Sequence, residues 1–169
     1  MRRPERPATT VARVEVDYRD LLARYASGVV VVTARVDDAD HAMTANSFTS
    51  VSLHPPLVLF CVQKDSRFHA AIGAADRWVV NVLSAEQAPA ARWFAERGRP
   101  LTRQMQVVEH QRDAAGIARL TGSLGYLTCR TDAMHDAGDH TIVVGEVLEV
   151  DHGGEGTALV YLNHRLGPA

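Results

Sequence analysis

Residues 29–33 read VVVVT, and no other feature of this chain restricts its fold as much. Side chains branched at Cβ crowd a helix and fit a pleated surface, and so short a run points to a buried strand. Similar runs recur: PLVLFCV at 56–62, RWVVNVLS at 77–84, GSLGYLTCR at 122–130, HTIVVGEVLEV at 140–150, and a short ALVYL at 158–162. Helical patterns lie between some of these runs but do not alternate with them one for one. A doubly wound parallel sheet is therefore not expected. The expectation is a mainly β fold, an antiparallel barrel with a few helices packed on its outside. Gly145 interrupts the run at 140–150, which marks a bulge or a sharp bend.

Three helices are expected. Tyr18, Leu21, Leu22 and Tyr25 fall at i, i+3, i+4 and i+7, with Asp17 placed as an N-cap and Gly28 past the end. Ser66 caps a short helix that stops at Gly73. Ser84 and Gln87 have the spacing of a capping box for a third, which closes at Gly98. Pro89 falls early in that helix, where the missing N–H is best tolerated. Residues 99–119 are polar and poorly periodic, and read as a loop around one short strand near Met105–Val108.

A chain of 169 residues is most economically one domain, here residues 17–169, behind a Pro- and Arg-rich tail over 1–16 that is expected to be disordered. The net charge of −2 and the scattered arginines give no electrostatic case for nucleic acid. No apolar run approaches the roughly 18–20 residues of a membrane span, and no signal-peptide pattern follows the basic N-terminus, so the expected setting is cytoplasmic. Cys61 and Cys129 lie in separate apolar segments and are expected as free thiols rather than a disulfide.

The common catalytic patterns are absent: no G-x-S-x-G, no phosphate-binding P-loop, no G-x-G-x-x-G after a strand, no H-E-x-x-H. HDAGDH at 135–140 gathers two His and two Asp, but Gly138 and the loop setting favour a turn, so no metal is expected. Redox chemistry would require a borrowed cofactor, because side chains do not transfer hydride. Residues 44–52, TANSFTSVS, carry five hydroxyls and one amide directly before the Pro-Pro and the apolar run at 56–62. Such groups can serve a phosphate or the polar edge of a flat ring, and they equally suit plain turn chemistry.

YASGVVVVT, HAMTANSFTSVSLHPPLVLFCV, KDSR, WVVNVLS, GYLTCR and AGDHTIVVGEVLEV stand in the order and spacing of the short-chain flavin reductases. The chain resembles that family over roughly residues 18–163, most specifically in TANSFTSVSLHPPL and GDHTIVVGEV. These are the reductase components of two-component flavin-dependent monooxygenases, and their fold is an FMN-binding split barrel, antiparallel and Greek-key-like.

The resemblance implies a homodimer that reduces FMN or FAD with NADH, or with NADPH, and passes the reduced flavin to a separate monooxygenase. It places Thr44, Ala45, Asn46, Ser47 and Ser52 along the flavin, with Asn46 and its neighbours at the ring and ribityl chain and Ser52 near the phosphate. It also places Ser66 and Arg67 at the phosphate, and His140 beside the nicotinamide. A capped helix start with an adjacent cation is independently a good anion site. Phe68 stands where many relatives carry Thr. The segment ERGRPLTRQMQVV and the short tail YLNHRLGPA depart from the family, and both regions can border the nicotinamide side of the site. The competing reading is a split-barrel flavin-binding protein without reductase turnover: a carrier, a sensor or a repurposed non-redox enzyme. A third is an oxidoreductase that keeps its flavin.

Overall fold

The computed structural model describes residues 8–169. In chain order its elements are α1 (Ala8–Ala23), β1 (Ser27–Gly28), β2 (Val30–Val36), β3 (Ala39–Ala45), β4 (Thr49–Leu53) and β5 (Pro56–Gln63). Then come α2 (Arg67–Ala74), β6 (Arg77–Val82), α3 (Ala88–Ala95), β7 (His110–Arg112) and β8 (Ala118–Leu120). The chain closes with β9 (Gly125–Ala137), β10 (His140–His152), β11 (Leu159–Leu162) and β12 (Arg165–Pro168).

Seven strands form one antiparallel sheet in the order β3-β2-β6-β9-β10-β5-β4. In a flat sheet β2 and β5 would lie four strand spacings apart, about 19 Å. Yet Val30 and Val32 of β2 share one buried cluster with Val58, Phe60 and Val62 of β5 and with Trp78 and Val143. The sheet therefore curls until its two ends face each other across a common core. Val29 and Val31 point the other way, into a second cluster with Leu83, Phe94, Met105 and Leu120. Burial on both faces explains why β2 reads as an unbroken apolar run rather than an alternating one.

The bend anticipated at Gly145 is present: the β9–β10 register shifts between Val144 and Gly145, with Asp132 of β9 as the extra residue. Glycine is required at that point on steric grounds. A Cβ on Gly145 would stand 2.2 Å from Cζ2 of the buried Trp78 indole. Asn81, in the middle of the buried strand β6, has a tertiary role. Its amide donates to the Val31 carbonyl at 2.9 Å and accepts from the Leu120 N–H at 2.7 Å, while Thr33 donates to the Ala118 carbonyl at 2.6 Å. Those bonds fasten β8 over β2 and β6.

Four local expectations need correction. Residues 105–108 are turn, not strand; the strands of that region are β7 and β8, paired as a hairpin. Gln104 and Met105 are buried there and the Gln104 carbonyl accepts from the Trp93 indole at 2.8 Å, which holds the segment as a tertiary turn. The hydroxyl-rich stretch is not a turn before one strand but parts of β3 and β4 joined at residues 46–48. Of the tail expected over 1–16, residues 1–7 lie outside the described residues, and 8–16 belong to α1, so Asp17 is inside a helix rather than at its cap. Finally, the apolar positions Tyr18, Leu21, Leu22 and Tyr25 are all exposed in the single chain. No described helix is long and apolar enough to cross a membrane.

Candidate functional site

A cavity of about 500 Å³ opens where the edge strand β3, the end of β5, the start of α2 and the segment after α3 converge. Thr44, Ala45, Asn46, Ser47, Ser66, Arg67 and His140 line it, so seven of the eight residues marked out in the sequence meet in one place. Ser52 does not. It sits on β4 away from the cavity, and its hydroxyl accepts from the His54 N–H at 3.2 Å.

The hydroxyls divide by role. Thr44 donates to the Ala91 carbonyl of α3 at 2.6 Å, which pins that helix to β3. Ser47 accepts from the Cys61 N–H at 3.0 Å and joins the 46–48 turn to β5. Ala45 is buried in the core, and the side chain that the turn leaves exposed is Asn46. Ser66 is a true N-cap, accepting from the His69 N–H at 3.2 Å. With that N-cap, the remaining free N–H groups of the first turn and the Arg67 side chain give the start of α2 a positive character. Phe68 turns into the core instead, against Phe60.

Sequence reading marked the segment after α3 but not its individual residues. Arg97, Arg99 and Gln104 line the cavity, together with His41, Cys61 and Gln63. Arg99 is a brace: its guanidinium donates to the carbonyls of Phe94 at 3.0 Å and Glu96 at 2.7 Å, and to that of Ala42 on β3. Arg67 in turn donates to the Arg99 carbonyl at 2.6 Å. Burial, and then the charge of Arg67, hold the Arg99 pKa below its ordinary value. Burial lowers His41 as well; Asp40 pulls it up and Arg67 pushes it down. Cations that depress one another across a cavity wall make a favourable place for an anion. Two polar atoms of the lining, Arg99 Nε and Gln104 Oε1, are buried without a protein partner.

His140 opens β10 directly across from Gln63 of β5 and lines the same cavity. Its Nδ1 lies 2.8 Å from an Asp139 carboxylate oxygen. A carboxylate can only accept, so Nδ1 carries a proton, and Nε2 is the nitrogen left for a ligand. The same bond holds the Asp139 carboxyl below its usual range. The HDAGDH segment is the tight β9–β10 turn, with Gly138 at φ +65°. Among the described residues no cluster of His, Cys, Asp or Glu could hold a metal. Both cysteines are free; burial pushes the Cys129 thiol up to about 12.

The flavin reductase like domain profile matches residues 22–169. The chain belongs to this family. It is 41% identical over 135 residues to the FMN reductase (NADH) SmoA of Agrobacterium fabrum, covering 80% of this chain and 75% of that protein. It is 39% identical over 148 residues to the reductase component of 4-hydroxyphenylacetate 3-monooxygenase of Thermus thermophilus, covering 85% and 89%. Among solved structures, the NADH:FAD oxidoreductase SgcE6 of Streptomyces globisporus, in complex with NAD and FAD fragments, superposes with a TM-score of 0.85 at 35% identity, covering 91% and 92%. BorF, the flavin reductase component of a bacterial two-component tryptophan halogenase, gives 0.84 at 38% identity, covering 92% and 99%.

Proposed function

We propose that this chain is an NADH:flavin oxidoreductase that reduces FMN or FAD and releases the reduced flavin to a separate monooxygenase. The observation that carries the reading is the cavity itself. An anion-attracting helix start with Arg67, an exposed amide at Asn46 and the imidazole of His140 line one space, in a family whose named members reduce flavins. The donor set suits a flavin: cations for its phosphate, and small groups plus Asn46 for its ribityl chain and ring edge. The unpartnered Arg99 Nε and Gln104 Oε1 offer one more donor and one more acceptor.

The bound pair supplies the redox chemistry, hydride passing from nicotinamide C4 to flavin N5 while a proton comes from solvent. The chain's own residues have to position rather than react. Ser47 and Thr44 keep the walls in place, Arg67 and the α2 start would hold the phosphate, and the His140 imidazole would orient the nicotinamide. Near-attack geometry of roughly 3–3.5 Å is the main catalytic demand.

A homodimer is part of the same reading. Tyr18, Leu21, Leu22 and Tyr25 lie exposed along α1 and just beyond it, and Val51 and Leu53 lie exposed on β4. A second copy is the occupant that would cover them, and light scattering should give about twice the 18.4 kDa chain mass. The activity belongs in the cytoplasm, where NADH is supplied.

The test is NADH and NADPH oxidation measured against FMN, FAD and riboflavin. Turnover that needs added flavin supports the proposal. Flavin binding with no nicotinamide oxidation by any pair would overturn it in favour of a carrier.

A further inference from the structure

Arg97 has no part in the reading above, yet it occupies the ground between its two halves. Its guanidinium donates to Gln63 Oε1, and Gln63 is the residue paired across the sheet from His140. On the other side it reaches Asp65, next to Ser66 and Arg67, at 3.5 Å. Both members of that ion pair are largely exposed, at 71% and 64%, so solvent screens it and it holds the side chain only loosely. The backbone beneath is not loose. Arg99 fixes the segment to α3 and β3 through three carbonyls, and Trp93 fixes it again at Gln104. A firmly seated backbone thus presents a guanidinium with only weak partners.

A flavin mononucleotide carries one phosphate, and the α2 start with Arg67 can hold it. A second cation on the same wall, displaced toward His140, is not needed by a mononucleotide. It matches a substrate with a further phosphate. We infer that Arg97 recognises the diphosphate of a dinucleotide substrate, and so sets a preference for dinucleotides over mononucleotides. Two sources share that chemistry: the diphosphate of NADH and the diphosphate of FAD. The inference rests on the flavin reductase reading and assigns Arg97 within that site.

The experiment crosses two donors, NADH and reduced nicotinamide mononucleotide, with two acceptors, FMN and FAD. It uses the full chain, as wild type, Arg97→Ala and Arg97→Lys. Loss of a charge-assisted hydrogen bond at an exposed position should change one selectivity ratio about tenfold. If NADH is the source, Arg97→Ala raises the KM of NADH relative to the mononucleotide donor. If FAD is the source, it raises the KM of FAD relative to FMN. Arg97→Lys restores part of the ratio, because charge returns without the bidentate fork. A variant in which neither ratio moves, or in which all four pairs fall together, overturns the assignment and leaves the flavin reading intact. A wild-type protein that turns over none of the four pairs overturns the flavin reading, and this inference with it.

Discussion

Replacing Gly145 with Ala places the smallest possible probe against the bend that shapes the sheet. The new Cβ would stand 2.2 Å from Cζ2 and 2.6 Å from Cη2 of Trp78. Carbon atoms rest at about 3.5–4.0 Å, so the indole must retreat by more than 1 Å. It has little room to do so. Trp78 is fully buried, stands edge-on to Phe60 at 5.2 Å and donates to Thr131 Oγ1 at 3.0 Å. Overpacking costs about 1–3 kcal/mol and loss of the indole hydrogen bond about 1 more. Ala recovers about 0.5–1 kcal/mol, because Gly loses more backbone freedom on folding. The net expectation is a destabilisation of about 2 kcal/mol, read as a lower urea midpoint by far-UV circular dichroism at fixed protein concentration. In a Trp78→Phe background the clashing ring edge is gone. There the same Gly145→Ala change should cost less than about 0.5 kcal/mol, a coupling above 1 kcal/mol between the two sites. A single variant as stable as wild type, or an equal cost in both backgrounds, would falsify the claim that Trp78 excludes a side chain at position 145.

His140→Ala should raise the KM for NADH and leave flavin affinity nearly unchanged; the reverse pattern removes His140 from the nicotinamide side. Arg67→Ala should weaken FMN more than riboflavin, by about 1–2 kcal/mol given the exposure of the side chain, and equal weakening would show that Arg67 does not meet the phosphate. The same variant removes a charge that lowers His41, so the His41 imidazole should titrate at higher pH by NMR; a downward shift contradicts the geometry. In the wild type the depressed His41 value means stability is full above the ordinary 6.5 and is lost as pH falls below it, a slope that His41→Asn should reduce. A thiol reagent should label Cys61 in the native protein and Cys129 only on unfolding, with FMN slowing the Cys61 reaction; rapid native labelling of Cys129 would contradict its burial.

What could be read from the sequence was local. β2 and β6 declare themselves because branched side chains and continuous apolarity suit strands buried on both faces. β5 and β10 do so because they are rich in branched and apolar residues although their burial alternates, and the Ser66 and Ser84–Gln87 caps act within one helical turn. What escaped depends on partners far along the chain. Residues 39–45 and 49–53 look like turn material, because the bond that makes the Thr44 hydroxyl acceptable in a strand runs to Ala91, forty-seven residues on, and the Ser47 bond that anchors the connection between the two strands runs to Cys61. The β7–β8 hairpin owes its place to Asn81, and nothing inside 110–120 announces it. Within the site, the family motifs led to Ser66, Arg67 and His140, whereas Arg99 reads in sequence like any solvated arginine. Only the carbonyls of Phe94, Glu96 and Ala42 give it a position.

The division of labour in the cavity bears on how tightly it can hold a ligand. Thr44, Ser47 and Ser66 bond mainly to the protein itself, so their hydroxyls build the wall. The cations at the rim are Arg67 and Arg97, both exposed, and screened contacts of the kind they could make are individually weak. Arg99 is better buried, but its guanidinium is already engaged with three carbonyls. A cavity with braced walls and its cations at the water's edge would orient a phosphate ester without sequestering it. That combination suits a protein whose reduced flavin has to leave. It also fixes a sign: raising ionic strength should weaken FMN binding while affecting riboflavin little, because riboflavin has no phosphate for the rim cations to meet. Equal salt dependence for the two would mean that the grip on flavin comes from the apolar walls, and that the arginines at the rim serve the other substrate.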